Sequence, residues 1–305
     1  MNTKNADFIW FDGEFKPWES VTVPITTHAI HYGTSVFEGI RGYSNDENLF
    51  IFKLKEHMER LIQSAEVYSI SPRYPLSEMC ESTIELLREN NIKTSCYIRP
   101  LLFVGLHGID LNVTRNSPSH LAIIAFPFNR YFPETGIRTC ISSWRRINEN
   151  STPPMAKAGG NYMNSVLATQ ECKRNGYDES ILLDYHGNVS EAPGENIFVI
   201  RNNKIFTPPL SDSVLEGITR DTAITIARQF GYEVQERSIS RTELYIADEI
   251  FVTGTAAEIT PIISVDNHNV GDGKVGKISK EISDYYQKIV TSQVPDFRDW
   301  LTTVW

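Results

Sequence analysis

The sequence predicts a mixed α+β protein of two domains, and three observations carry that expectation. At 305 residues the chain is long for one core, so two domains of roughly 130–170 residues each are expected. Short apolar runs alternate with segments whose apolar residues recur every three to four positions, which interleaves strands with helices. Between two strand-like segments lies Pro127-Phe-Asn-Arg-Tyr-Phe-Pro133, whose prolines and asparagine mark a connector. We therefore expect a small N-terminal domain over 1–126, a linker over 127–136 and a larger, strand-rich domain over 137–305.

Each element follows in order. Residues 8–52 read as short strands and turns, with Asp12-Gly13 as a hairpin turn between Ile9-Trp10-Phe11 and Glu14-Phe15. From Lys55, the residues Met58, Leu61, Ile62, Ala65 and Tyr68 keep helical spacing. A second helix spans about 76–90, with Met79, Thr83, Leu86 and Leu87 on one side. Strands are expected over 96–104, 121–126 and 136–142. A helix near 161–174 is ended by Asn175-Gly176. Two strand pairs turn at His186-Gly187-Asn188 and at Arg201-Asn-Asn-Lys204. A helix begins near Gly217 and stops at Gly231, and Ser240-Arg-Thr-Glu243 is a capping box for a short one. A strand over 249–253 enters Gly254-Thr-Ala-Ala-Glu258, and a tail helix buries Ile278, Ile282, Tyr285 or Tyr286, and Ile289.

Composition narrows the function. With 41% hydrophobic and 22% charged residues, the chain can build real cores. A formal charge of −9 argues against a nucleic-acid or anionic-membrane surface. The basic pair Arg145-Arg146 is too short to alter that. Cys80, Cys96, Cys140 and Cys172 lack zinc spacing and read as reduced thiols of a cytoplasmic protein. The N-terminal MNTKNADFIWFDGEF has neither the basic nor the apolar region of a signal peptide, and no apolar run reaches membrane-span length. His28 and His31 are spaced i, i+3 without further ligands, so no metal site is expected.

The segment Met155-Ala-Lys-Ala-Gly-Gly-Asn-Tyr162 sets one lysine among residues too small to shield it. Taken alone, it fits either a surface lysine before a glycine turn or an amine cleared for chemistry. A lysine whose pKa is lowered becomes a nucleophile able to form a Schiff base, and small neighbours would let a planar aldehyde approach. A pyridoxal phosphate enzyme also needs a phosphate site and a carboxylate for the pyridine nitrogen. Ser190-Glu-Ala-Pro-Gly-Glu-Asn196 offers two carboxylates in a tight loop, among them Glu191. Leu215-Glu-Gly-Ile-Thr-Arg-Asp221 opens an amphipathic helix, where Gly217 gives access and Thr219 a hydroxyl beside free N–H groups. Thr253-Gly-Thr-Ala-Ala257 repeats that arrangement at a strand end and would suit a carboxylate or the same phosphate. Each has an ordinary reading as well, a solvated loop glutamate or a plainly capped helix.

These motifs, in this order, resemble the branched-chain amino acid aminotransferases of fold type IV. So do His31-Tyr-Gly-Thr-Ser-Val-Phe-Glu-Gly-Ile-Arg-Gly-Tyr43, His57-Met-Glu-Arg-Leu61 and Tyr97-Ile-Arg-Pro100, and the resemblance covers about 8–295. It implies a two-domain fold with pyridoxal 5'-phosphate between the domains. It implies that Lys157 bonds the cofactor, Tyr162 the ring oxygen and Glu191 the pyridine nitrogen. Arg60, Leu215, Gly217, Ile218, Thr219 and Thr255 would surround the phosphate side. By periodicity alone Arg60 lies beside its helix's apolar stripe and could equally be solvated.

The same resemblance implies transfer of the amino group of Leu, Ile or Val to 2-oxoglutarate by a ping-pong route. Tyr97 and Arg99, two apart on a strand, share a face. The resemblance gives Tyr97, with the Thr255 and Ala256 N–H groups beside Ala257, the α-carboxylate, and Arg99 the side-chain carboxylate of glutamate. Phe37, Gly39 and Arg41 also share a face, and Phe37 with Tyr32, Phe128, Tyr131 and Tyr162 would line an apolar pocket; without the resemblance these aromatics read as core. Three departures stand out. Phe128 replaces a frequent tryptophan, Pro193 replaces a usual glycine, and Leu106-His-Gly-Ile-Asp-Leu111 matches only loosely a loop that reaches the neighbouring subunit's site. His107 reads there as solvated. The family also implies a homodimer at least, with hexamers among its members. The alternative is another fold type IV enzyme: a D-amino acid or (R)-amine aminotransferase, or aminodeoxychorismate lyase. A non-catalytic binding protein of this fold is a third reading. A nucleotide-binding protein is disfavoured because no G-x-G-x-x-G or P-loop motif occurs.

Overall fold

The structure is a computed structural model and describes residues 6–305; residues 1–5, part of the stretch searched for a leader, lie outside the described residues. Two units build it. One comprises the described residues up to Asn129 together with Ala156–Gly160 and Lys288–Trp305, and the other comprises Arg130–Met155 and Asn161–Gln287.

In the first unit, β1 (Phe8–Phe11) and β2 (Glu14–Pro17) form the expected hairpin. Asp12 and Gly13 take φ of 49° and 92°, the left-handed pair that a two-residue turn demands. A short helix, α1 (His28–Tyr32), interrupts the stretch that reads as strands and turns. His28 anchors it from inside: Nδ1 meets Thr34 Oγ1 at 2.8 Å and Nε2 meets the Asp110 carbonyl at 3.1 Å. Then come β3 (Ser35–Phe37), β4 (Ile40–Ser44), β5 (Leu49–Phe52), α2 (Leu54–Val67), α3 (Leu76–Glu89), β6 (Cys96–Val104) and β7 (Ser119–Pro127). The nine-residue β6 is the spine of the sheet. Both β3 and β4 pair with it, β7 runs antiparallel along its other edge, and a C-terminal strand, Leu301–Thr303, joins the margin beside β5. Leu54, Met58, Leu61 and Ala65 of α2 join Met79, Leu86 and Leu87 of α3 in one core with Ile40, Ile51, Ile98 and Ile123 of the sheet. Each such aliphatic side chain contributes about 1.5–3 kcal/mol by leaving water.

The second unit carries β8 (Ile137–Arg145), α4 (Tyr162–Arg174), β9 (Glu179–Leu183), β10 (Asn196–Arg201), β11 (Lys204–Thr207), α5 (Ile218–Gln229), β12 (Glu233–Glu236), β13 (Glu249–Gly254), β14 (Glu258–Val265) and all but the last three residues of α6 (Lys277–Val290). Its sheet runs β12-β11-β10-β13-β14-β8-β9, antiparallel in the middle and parallel at both margins. The parallel pairs β8–β9 and β11–β12 need crossovers, which α4 and α5 supply. Strand β10 is buried on both faces up to Ile200, and so reads as an unbroken apolar run; Phe198 stacks on Phe251 of β13 at 4.7 Å. The Ser240 capping box forms as expected and opens the 3₁₀ turn Arg241–Ile246. In α6, Ile278, Ile282, Tyr286 and Ile289 are buried, which resolves the choice between the two tyrosines. Among the described residues no helix is long and apolar enough to cross a membrane.

A single cut at the connector does not describe these units. Residues 156–160 belong with the first because they are stitched to it. Val36 and Ala158 form a β-bridge, Phe37 N donates to the Lys157 carbonyl at 3.0 Å, and Lys157 N donates to Ser64 Oγ at 3.0 Å. The C-terminal residues join through their edge strand.

Candidate active site

In the first unit, helix α2 sets the geometry. His57, Arg60 and Ser64 recur at helical spacing along the face that carries the apolar stripe. Ser64 receives the lysine segment as described above. His57 and Arg60 converge on Glu38, which lies in the break between β3 and β4 and is fully buried. Glu38 Oε1 accepts from Arg60 Nε at 2.7 Å, and Oε2 accepts from Arg60 Nη2 at 2.8 Å and from His57 Nδ1 at 2.7 Å. Arg60 is thus mostly covered and forked onto a carboxylate, not solvated; its side chain is 11% exposed. Burial alone would raise the Glu38 carboxyl, but the Arg60 charge and the bonds from Arg60 and His57 outweigh it and hold Glu38 below the usual carboxylate range. Burial pushes His57 down, against the pull of Glu38 and with the help of the Arg60 and Lys157 charges, so the imidazole stays neutral.

The small residues around Lys157 have a reason beyond clearing space. A Cβ at Gly159 would overlap Ser35 Oγ, and a Cβ at Gly33 would lie 3.1 Å from Gly160 Cα. The glycines let the lysine segment lie directly on the Gly33–Ser35 backbone. Lys157 Nζ stands 5.1 Å from the Phe37 ring centre. Nearby, Arg99 Nη2 donates to the Tyr97 hydroxyl at 2.8 Å, and its guanidinium lies 4.6 Å from the Phe37 ring. Tyr97 is flanked by Phe126 at 5.6 Å and Phe128 at 5.4 Å. The Arg41 guanidinium covers Phe128 at 4.8 Å. Gly39 is obligatory here, since its Cβ would meet Tyr97 Cζ at 2.9 Å and overlap the hydroxyl. The structure therefore gathers Phe37, Gly39, Tyr97, Arg99 and Phe128 in one cluster. Tyr32 is on α1, with its ring 4.6 Å from His28 and its hydroxyl near the Ile109 carbonyl. His107 is half-buried and meets the Asn112 carbonyl at 3.2 Å.

In the second unit, Glu191 is buried and held on both oxygens. Arg146 Nη2 lies 2.7 Å from Oε1, while Asn196 Nδ2 and Leu215 N each donate to Oε2 at 3.0 Å. Asn196 Nδ2 also donates to the Leu215 carbonyl at 2.9 Å. Glu195, the second loop carboxylate, turns back to its own Gly194 N at 3.1 Å. Pro193 is buried, and its carbonyl accepts from Ser165 Oγ at 2.7 Å. Gly217 is the N-cap of α5 and offers no capping side chain to Ile218 and Thr219 behind it. A Cβ at Gly217 would come within 3.1 Å of Asn196 Cγ, so this helix start is packed against Asn196. Residues 255–257 form the tight turn between β13 and β14, closed by Glu258 at φ 57°. Asn196 pairs with Thr253, which puts this turn, the Glu191 loop and the α5 start at one end of the sheet. The Thr253 hydroxyl is buried there without a protein partner. Tyr162 heads α4 half-buried, and Tyr131 packs on Phe132 at 4.5 Å.

Four participants escape sequence reasoning: Glu38, His57, Arg146 and Asn196. Arg146 stands in a pair that reads as a surface cluster, yet only Arg145 is exposed. The i, i+3 spacing of His57 and Arg60 was the available signal for those two.

Comparison with known proteins fits this geometry. The amino-transferase class IV family pattern matches residues 35–265. The chain belongs to that family. The branched-chain-amino-acid aminotransferase of Escherichia coli (strain K12) is 45% identical, covering 100% of this chain and 99% of its own. The crystal structure of the branched-chain aminotransferase from Thermoproteus uzoniensis with norvaline superposes with a TM-score of 0.96 at 42% identity, covering 98% and 100%. A second crystal structure, of a branched-chain amino acid aminotransferase complexed with N-(5'-phosphopyridoxyl)-L-glutamate, gives 0.95 at 42%, covering 98% and 99%. The fold of this class IV aminotransferase is therefore fold type IV, as expected.

Proposed function

We propose that this class IV aminotransferase is a pyridoxal phosphate-dependent branched-chain L-amino acid aminotransferase that uses 2-oxoglutarate as acceptor. The observation that carries the reading is the Tyr97 hydroxyl held by Arg99 at 2.8 Å inside a ring of Phe37, Phe126 and Phe128. A hydroxyl donor set among aromatics suits an amino acid with an apolar side chain, and the Arg99 cation beside it suits the second carboxylate of glutamate. The relatives' norvaline and phosphopyridoxyl-glutamate ligands are of these two kinds, which favours this branch over the D-amino acid, (R)-amine and lyase alternatives.

The residues present fit the cofactor. Glu191 is a buried carboxylate fixed by three donors, as a partner for a protonated pyridine nitrogen must be. The start of α5 bears a glycine cap and aligned N–H groups, a site for phosphate. When bound, the cofactor supplies an electrophilic carbon and an electron sink for the Cα carbanion. Lys157 would hold it through its amine, and the same amine would be the base and then the acid for the proton at the substrate Cα. Tyr162 would hold the ring oxygen, the phosphate role is given to Arg60 in one unit and to Ile218, Thr219 and Thr255 in the other, and Leu215 braces Glu191 through its N–H. The α-carboxylate is assigned to Tyr97 and to the N–H groups of the 255–257 turn, and the distal carboxylate would go to Arg99. Tyr32 and Tyr131 complete the apolar lining. Donor and acceptor bind in turn, so the kinetics are ping-pong.

A homo-oligomer accompanies this reading. Ile25, Ile109 and Leu111 are 77%, 84% and 71% exposed, close in sequence to the exposed Ile30 and Leu106. Apolar exposure of this kind would suit an interface between copies of the chain. Light scattering should return a dimer or a multiple of it; a stable monomer would refute the assembly. The place of action is the cytosol, in keeping with four free cysteines.

The deciding experiment is an absorption spectrum of the purified protein before and after L-leucine without an oxo acid. A near-visible band lost to a shorter-wavelength one supports the reading. A band that ignores L-leucine and responds to D-alanine or an (R)-amine overturns it.

A further inference from the structure

Glu38 is a fully buried charge that no cofactor or substrate role has absorbed. Glu38 accepts three N–H bonds, two of them from the Nε–Nη2 edge of Arg60. A guanidinium has two such edges. Spending one on a fixed carboxylate determines where the other points, and the Glu38 backbone is itself fixed, its N–H donating to the Pro100 carbonyl at 2.9 Å. His57 completes the device. Its Nδ1–H holds Oε2, so the carboxylate cannot rotate away from Arg60. Because the imidazole is neutral, the cluster carries one negative and one positive charge and can be buried as a balanced pair.

We propose that Glu38 is a positioning residue for the cofactor phosphate: with His57 it locks the Nε–Nη2 edge of Arg60 and presents the opposite edge to the phosphate. This rests on the assignment of Arg60 to the phosphate. A carboxylate close to a phosphate-binding arginine is unfavourable for anion binding by charge alone. Its retention in a fully buried position is explained by orientation: a freely rotating guanidinium loses conformational entropy on binding, and a locked one has already lost it.

The test compares two probes on apoenzyme, pyridoxal phosphate and pyridoxal, with dissociation constants read from quenching of protein fluorescence. Glu38→Gln should weaken pyridoxal phosphate by roughly 10–100-fold, the range typical when a partner that orients a binding group is removed. Pyridoxal, which lacks the phosphate, should change by less than about twofold. In an Arg60→Met background Glu38→Gln should add nothing further, because the group it orients is gone. Equal losses for both probes would show a merely structural role and overturn the proposal, as would an unchanged constant or additive losses. If Glu38→Gln does not fold, Glu38→Asp is read by the same ratio, since a shorter carboxylate keeps the charge but not the reach. If Arg60→Met itself leaves the ratio of the two constants at the wild-type value, the Arg60 assignment fails first and the proposal falls with it. Wild-type apoenzyme that binds neither probe would instead overturn the functional reading.

Discussion

Adding one methyl group at Gly39 tests the substrate cluster most sharply. The new Cβ would sit 2.9 Å from Tyr97 Cζ, whereas ordinary contact begins near 3.4 Å, so the ring must recede by about 0.5 Å (3.4 − 2.9) and the hydroxyl by more. Tyr97 has little room to do so. Phe126 and Phe128 flank its ring, and Arg99 holds its hydroxyl at 2.8 Å. Nor can the backbone retreat, because Glu38 N and β4 on either side are bonded to β6. A displacement approaching 1 Å in a group that orients substrate costs on the order of 10²-fold. Gly39→Ala should therefore lower kcat/KM for L-leucine by about 10–100-fold, or roughly 1.4–2.7 kcal/mol of transition-state binding. Steady-state kinetics with L-leucine and 2-oxoglutarate measure this. The absorption band of the bound cofactor should be unaltered, since the lysine segment is not touched. A variant within twofold of wild type would refute both the packing argument and the role given to Tyr97.

Lys157→Ala should abolish turnover while the circular dichroism spectrum persists; ordinary activity in that variant would sink the cofactor-lysine assignment. Arg99→Ala should harm glutamate and 2-oxoglutarate more than leucine, because only they carry a second carboxylate; equal losses in kcat/KM would contradict it. Arg146→Met leaves the buried Glu191 without its 2.7 Å charge partner, and denaturant titration should show a loss of about 3–5 kcal/mol, with a change below about 1 kcal/mol counting against the pair. His57 is held below its ordinary value of 6.5, so the unfolded chain binds the extra proton first as the pH falls. Its contribution is intact above about pH 6.5 and is lost with acidification, at up to about 1.4 kcal/mol per pH unit. His57→Asn should flatten the stability profile between pH 7 and 5, and an unchanged slope would show that the imidazole does not stay neutral.

What could be read from the sequence was local. Lys157, the Glu191 loop and the glycine at the start of α5 each sit in a few consecutive residues, so their chemistry shows in the string. The Glu38 cluster joins residues 19 and 22 positions apart, and depends on β3 and β4 both leaning on β6 with a break between them. No periodicity encodes such a break. Arg146 was hidden because a strand end alternates its sides, and the pair Arg145-Arg146 does not say which member turns inward. The glycines beside Lys157 carry a second constraint that the string does not show, because a side chain at Gly159 would overlap the Ser35 hydroxyl.

Asn196 has a consequence of a different kind. One amide touches the Glu191 carboxylate and the Leu215 carbonyl, and its Cγ stands where a side chain at Gly217 would have to go. The span from the Glu191 carboxylate to the start of α5 is thus spaced by a single planar group with few internal rotations. Asn196 works as a gauge block. On the proposed assignment the two ends of the cofactor would be recognised at a fixed separation, and a molecule with the right groups and the wrong length would be rejected by geometry.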